Sequence, residues 1–401
     1  MGYNGPSLLT VLRNAEVYAP GLLGSRDLVV AAGTIVALGE HLPRVPPELI
    51  VEEVDLHGRR VIPGLIDGHV HVTGGGGEAG FASRVPPLCV GDLARAGITT
   101  VVGLLGTDGT TRTIADLVAR TLGLREDGLS AWCYTGSYQC PPQTLTGSVR
   151  GDIVFVDPII GVGELAISDH RSSQPTYDEL LRIASACHVA GMTSGKAGHV
   201  HLHLGDGPRG LELVRRAVTG TELPARTFQP THVNRNRRLF DEAVALAIEH
   251  RVPIDVTAFD ADADSHDAPE AIARCLAAPG FPVERLTCSS DGGGCLPTFD
   301  RDGRLVEMDV GRPATLLAAL RGLLERGLGL ARVLPVFTSN VADQLRLRGA
   351  GRLAVGGAAD LVVLDERGGA HDVMAGGRWM VRDGTQTRFG MVEQATMKAC
   401  T

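Results

Sequence analysis

Val61-Ile62-Pro63-Gly64-Leu65-Ile66-Asp67-Gly68-His69-Val70-His71 is the stretch on which the fold turns. Its apolar, partly β-branched opening reads as a buried strand, and the strand runs into a His-x-His pair. On an extended backbone successive side chains point to opposite faces, so His69 and His71 point the same way and two imidazoles can grip one cation while Val70 packs behind. Neutral imidazole suits zinc and similar divalent metals, but two histidines leave a tetrahedral shell half filled. The pair alone does not separate a metal clamp from an incidental core or surface pair, and the rest of the chain has to decide.

Downstream, strand-like runs alternate with helical stretches. Eight runs end near His71, Gly106, Tyr138, Glu164, Gly205, Val233, Thr257 and Ser290, separated by amphipathic segments such as Tyr177 to Val189, Arg209 to Val218 and Arg238 to His250. Eight strands in βα alternation over about 290 residues predict an α/β fold of the (β/α)8 TIM-barrel type, with its active site at the C-terminal strand ends. A doubly wound open sheet fits less well: Gly74-Gly75-Gly76-Gly77 comes after two histidines and is followed by Glu78, and does not stand in a βα turn directly after the first strand as a dinucleotide fingerprint would. Short β-type runs at Leu8 to Val11, Leu28 to Ala31 and Thr34 to Gly39 resemble the texture of Leu361 to Asp365 and Val373 to Val381. The expected organisation is therefore a small β-sandwich formed by both chain ends, residues 1–58 and 348–401, around a barrel at 59–347.

The 401 residues are 44% hydrophobic, enough to bury a large core. A formal net charge of −8 and a pI near 5.9 argue against a nucleic-acid partner. No apolar run approaches the roughly 20 residues of a membrane span, and Met1 to Pro6 has no basic region leading into an apolar one, so the expectation is a cytoplasmic protein without a membrane partner. Eight cysteines at 89, 133, 140, 187, 275, 288, 295 and 400 form no CxxC pair and read as reduced thiols.

The predicted strand ends carry further metal-binding chemistry. The fifth run holds a second His-x-His, His201-Leu202-His203; the sixth holds His232, and the eighth closes with Cys288-Ser289-Ser290-Asp291. This order resembles the amidohydrolase superfamily, and within it the isoaspartyl dipeptidases. The resemblance covers nearly the whole chain and rests on His69-Val70-His71 with GGGGEAG at 74–80, VVGLLGTD at 101–108, Thr146 to Val149, AISDHRS at 166–172, THVNRN at 231–236 and Ser289-Ser290-Asp291-Gly292. Together these motifs are far more specific than one His-x-His.

The resemblance implies two divalent metal ions, zinc in the first instance. His69 and His71 would hold the more buried ion, His203 and His232 the other, and Asp291 would touch the buried ion and the attacking hydroxide. It also implies that Tyr138 donates to the developing oxyanion, that Glu78 pairs with the substrate amine, that Arg171 and Arg235 hold its carboxylates, and that Thr107 and the Gly76 region make minor contacts. The substrate implied is a small dipeptide with a β-aspartyl isopeptide bond, and the enzyme a homo-oligomer. His201 reads as a back-face or supporting residue; His57, His199, His250 and His266 read as structural or solvent-facing.

Two positions depart from the family pattern. Where relatives carry a bridging carboxylated lysine, the alignment puts Glu164, whose carboxylate offers the same two oxygens on a shorter stem; a local backbone shift at Gly161-Val162-Gly163 would make up the reach, and a one-metal site is the rival. Where relatives carry a substrate-contacting serine, this chain has Cys295, a poorer donor. The acidic run 260–267 reads as a solvated loop, with selection of a basic leaving residue as the alternative. Beside the dipeptidase stand an enzyme redirected to another C–N bond, such as a cyclic amide, an N-acyl amino acid or a biosynthetic intermediate handled by a cyclase, and a non-catalytic protein keeping the scaffold.

Overall fold

The computed structural model describes residues 9–393 apart from 45, 47, 48, 50, 51, 301 and 303. Met1 to Pro6, Leu8 and Cys400, read above, lie outside the described residues.

The opening apolar run is two strands. β1 (Thr10–Tyr18), β2 (Leu22–Ala31), β3 (Thr34–Gly39) and β4 (Glu52–Asp55) precede β5 (Arg60–Pro63), and β6 (Leu65–Val70) starts one residue later. Gly64 makes the step possible, because a Cβ there would stand 2.1 Å from Thr99 Oγ1. β7 (Ile98–Gly103), β8 (Ser130–Thr135), β9 (Ile159–Ile167), β10 (Val200–Leu204), β11 (Phe228–Thr231), β12 (Ile254–Thr257) and β13 (Leu286–Ser289) follow. β6 to β11 form a parallel six-stranded sheet in chain order, and β12 and β13 form a parallel pair.

Side chains span the two seams. Between β11 and β12, the Asn234 amide donates to Thr257 O at 2.9 Å and its carbonyl accepts from Thr257 N at 2.9 Å. Between β13 and β6, the Asp67 carboxylate accepts from Ser290 N at 3.2 Å, and Gly292 O accepts from His71 N at 2.8 Å. The result is a barrel-type parallel sheet. Every residue of β7 and β9 is buried, which is why these strands read as continuous apolar runs.

The crossovers are α1 (Val90–Arg95), α2 (Ile114–Glu126), α3 (Val149–Phe155), α4 (Tyr177–Ser194), α5 (Glu212–Gly220), α6 (Arg237–His250) and α7 (Ala268–Ala277). Thr113, Thr176, Asn236 and Asp267 each accept from the backbone N–H three residues on, capping α2, α4, α6 and α7 where the loops leave the barrel rim. Three strand ends lie three residues from where they were expected: β7 stops at Gly103, short of Gly106, β8 stops at Thr135, short of Tyr138, and β9 continues to Ile167, leaving Glu164 inside the strand.

A hairpin, β14 (Cys295–Phe299) and β15 (Leu305–Val310), follows the barrel strands, then α8 (Ala314–Glu325), α9 (Leu330–Val333) and α10 (Ser339–Leu345). β16 (Leu361–Leu364), β17 (Ala370–Ala375), β18 (Arg378–Arg382) and β19 (Thr385–Gln386) complete the chain. They join the N-terminal strands in one nine-stranded sheet of order β19-β18-β17-β16-β5-β1-β2-β3, with β4 beside β1. β5 is the suture, parallel to β1 and antiparallel to β16. Leu12, Val17, Leu28, Ile35, Val61, Leu361 and Val363 pack in an apolar cluster of their own, separate from the barrel core.

Candidate active site

Glu164 stands in the middle of four imidazoles. Its Oε2 lies 3.6 Å from His69 Nε2, 3.2 Å from His203 Nδ1 and 3.4 Å from His232 Nε2, and its Oε1 lies 3.5 Å from His71 Nε2. Asp291 Oδ1 lies 3.3 Å from His69 Nε2 and 3.1 Å from His71 Nε2. All six residues are buried. Glu164 reaches this position through a bulge: Val162 pairs with Val200 and Leu165 with Leu202, so three steps along β9 face two along β10. A bulge re-aims a side chain. Gly163 permits it, since a Cβ there would stand 2.7 Å from His201 Cβ.

Burial pushes the Glu164 carboxyl up, but His69, His203 and His232 outweigh it and hold the group well below the usual range. Asp291 is depressed in the same way, burial opposing and His69 and His71 prevailing. Burial also pushes the His69 imidazole down, yet Glu164, Asp291 and Asp255 lift it to about 9. His232, where burial dominates, falls to about 4 and is neutral at physiological pH. A buried pocket that draws a proton onto an imidazole this strongly is one that stabilises added positive charge.

The same residues fit a divalent metal. His69 Nε2 and Asp291 Oδ1 are buried, converge on each other and have no hydrogen-bond partner, an arrangement that costs free energy unless a cation satisfies it. Three sets have their ligand atoms within 4.8 Å of one another: His69, His71 and Glu164; His69, His232 and Asp291; Glu164, His203 and His232. Imidazole with carboxylate is a zinc-type donor set.

Around the cluster opens a cavity of about 960 Å³. His71, Gly76, Glu78, Thr107, Tyr138, Glu164, Arg171, His203, His232, Arg235, Asp291 and Cys295 all line it, whereas His69 lies beneath its floor. Tyr138 Oη is 2.7 Å from His203 Nδ1, and burial raises its phenol so far that it stays protonated. Thr107 Oγ1 donates to Glu78 Oε1 at 2.9 Å, while Glu78 Oε2 is buried without a hydrogen-bond partner. The Arg171 guanidinium lies over the Tyr138 ring at 5.5 Å, and Arg235 donates to Leu204 O at 2.7 Å.

His201 sits below the cluster, its Nε2 2.8 Å from His69 Nδ1 and its ring stacked on Tyr134. His199 packs edge-on against Tyr134, His266 against Phe240, and His57 is exposed. Sequence reasoning missed Asp67, Asp169 and Arg112. Asp67 was within reach, being two residues before His69 on the same face. Arg112 is a buried staple donating to Gly75 O at 2.7 Å and Val85 O at 3.2 Å, which holds the glycine loop that carries Glu78; nothing in its local sequence marks it.

An α/β barrel carrying such a cluster at the C-terminal rim of its strands belongs to the class of hydrolytic barrel enzymes. The profile of the amidohydrolase family matches residues 60–380, and the chain belongs to that family. It is similar to the β-aspartyl dipeptidase of Fervidobacterium islandicum AW-1, solved in complex with the β-Asp-Leu dipeptide: 40% identity, TM-score 0.90, covering 96% of this chain and 100% of that one. The N-acetylglucosamine-6-phosphate deacetylase of Pasteurella multocida, at 15% identity and TM-score 0.63 over 93% of this chain and 100% of that one, shares the fold. Among curated relatives, a dihydroorotase of Ligilactobacillus salivarius is 33% identical over 103 residues, 25% of this chain and 23% of that protein. The match thus spans about a quarter of that relative's length.

Proposed function

We propose that this enzyme hydrolyses the isopeptide bond of β-aspartyl dipeptides at a site of two divalent metal ions, zinc in the first instance. In this reading His69 and His71 would hold one ion and His203 and His232 the other, with Glu164 as the carboxylate that would bridge them and Asp291 completing the set. The observation that carries the substrate is the charge lining of a single cavity. A β-aspartyl dipeptide has one ammonium and two carboxylates; Glu78 complements the first, and Arg171 and Arg235 complement the others through planar forks. The similarity to an enzyme solved with β-Asp-Leu supports the same reading.

When bound, such ions lower the pKa of a coordinated water and polarise a carbonyl. Asp291 takes the proton of the water that attacks the amide carbon and returns it to the leaving nitrogen. Tyr138, kept protonated by burial, donates from Oη to the amide oxygen as charge develops there. Thr107 holds Glu78 in register for the ammonium, and the Gly76 backbone and Cys295 complete the wall.

The test is release of amine from β-Asp-Leu, with an N-acetyl amino acid and dihydroorotate as comparison substrates. Turnover of β-Asp-Leu is expected; none at high enzyme contradicts the reading. Activity on one of the others favours the second reading, a different C–N bond, which Cys295 in place of a serine and the dihydroorotase relative support. No helix among the described residues is long and apolar enough to cross a membrane, and we place the enzyme in the cytoplasm. We further propose a homo-oligomer, in keeping with the exposed apolar side chains of Phe155 and Met192, and a closed (β/α)8 barrel at 59–347 flanked by a β-sandwich of both chain ends, β5 reaching across that boundary.

A further inference from the structure

One buried carboxylate beside the cluster touches both halves of the site. Asp169, 6% exposed, follows Ser168, whose φ of 53° turns the chain back over the end of β9. Its Oδ2 lies 3.0 Å from His203 Nε2 and accepts from Arg171 Nη2 at 2.8 Å. Its Oδ1 accepts from Arg171 Nε at 3.0 Å and from the Arg171 backbone N–H at 2.7 Å. The arginine is thus held by a two-pronged fork and a backbone bond, with Nη1 3.6 Å from Glu78 Oε1 on the cavity side.

The bond to His203 decides which face that imidazole shows the cluster. A carboxylate only accepts, and a neutral imidazole has one N–H and one lone pair. His203 thus faces a carboxylate at each nitrogen, Asp169 at Nε2 and Glu164 Oε2 at Nδ1, the latter at 3.2 Å; a metal ion held with Glu164 would take the Nδ1 lone pair, and Asp169 would then accept the one remaining N–H, on Nε2. A carboxylate behind a ligand histidine fixes its tautomer and raises its basicity. We propose that Asp169 is a positioning residue that couples the metal cluster to the carboxylate-binding arginine, setting His203 for the metal and Arg171 for the substrate with one side chain. This rests on the functional reading above, but its metal arm does not depend on the substrate.

The experiment compares full-length wild type, Asp169→Asn and Arg171→Met. Zinc affinity is read by competition with a chromophoric chelator, and KM and kcat are read on β-Asp-Leu with zinc saturating. An asparagine keeps one acceptor oxygen and no charge, so it can serve the His203 Nε2 and Arg171 Nη2 side or the Arg171 Nε and backbone N–H side, and it turns an NH2 donor toward the other. Asp169→Asn is expected to weaken zinc binding by roughly 10–100-fold and raise KM by roughly tenfold or more, whereas Arg171→Met raises KM and leaves zinc affinity within about twofold. Wild-type zinc affinity in a folded Asp169→Asn overturns the proposal, as does an equal loss of zinc in Arg171→Met. Should Asp169→Asn not fold, ¹⁵N-histidine spectra of the zinc-loaded wild type, assigned with His203→Gln, decide: a proton on Nε2 of His203 is expected, and one on Nδ1 overturns it. If wild type binds zinc but does not cleave β-Asp-Leu, the substrate reading fails while the zinc arm still stands.

Discussion

The chain contains two His-x-His pairs on barrel strands, and the structure uses them differently. His69 and His71 both bring Nε2 to Asp291 Oδ1, at 3.3 and 3.1 Å, with ring centroids 5.4 Å apart. Of the second pair only His203 reaches the cluster; His201 lies below and meets the back nitrogen of His69. Backbone register explains the contrast. Asp67 pairs with Val101 and Val70 with Gly103, so β6 carries an extra residue at the first pair, whereas β10 runs in step with β11 from Val200 to His203. Two residues along a regular strand are separated by roughly 6.6 Å, which puts successive imidazoles in successive layers of the barrel. A bulge brings them to one depth. His-x-His brings both imidazoles to the cluster where the strand is irregular, and one imidazole with the other packed behind where it is regular.

That contrast can be broken at several strengths. His71→Ala removes a cluster contact and is expected to cost roughly 10³-fold or more in kcat/KM on β-Asp-Leu, measured with metal in excess. Arg171→Met, which leaves the cluster intact, is expected to cost roughly 10–100-fold, mainly in KM. His201→Gln is expected to weaken zinc binding by roughly tenfold and to leave most of kcat at saturating zinc. A loss in His201→Gln as large as in His71→Ala would show that the two pairs are equivalent and the layer argument wrong.

The terminal sheet sharpens the electrostatic side. Asp360 is buried like Glu164 but has no imidazole beside it, and burial raises its pKa to about 6, opposed only by hydrogen bonds such as that from Gly376 N–H. A carboxyl raised on folding contributes stability below its ordinary 3.8, and that contribution is lost as pH rises through about 6. At about 1.4 kcal/mol per pH unit, Asp360→Asn should stabilise the protein by up to about 3 kcal/mol at pH 8 and by little at pH 3.5. Denaturant unfolding at the two pH values checks this, and an equal shift at both would contradict it.

Much of this was legible because parallel strands buried on both faces leave continuous apolar runs, and because histidines at the ends of such runs are rare enough to notice. The division of Val61 to Ile66 into β5 and β6 was not, since both strands are buried and only Gly64, through its clash with Thr99, marks the step. The hairpin of β14 and β15 was missed because β15 is half exposed and carries no core periodicity. Asp169 stood inside a motif already noticed, but its contact with His203 depends on the left-handed turn at Ser168, which no pattern of residue types announces. Glu164 was found as a departure from relatives, and a backbone shift was expected at Gly161-Val162-Gly163; that the shift is a β-bulge between Val162 and Leu165 is set by the pairing with β10, which the sequence does not display.

We propose that Glu164 joins His69 and His71 to His203 and His232 around metal. Metal content per chain of purified wild type and Glu164→Ala, by mass spectrometry after removal of loosely bound ions, tests it most directly. Two ions are expected in wild type and one or none in the variant; an unchanged count in the variant would contradict a bridging Glu164.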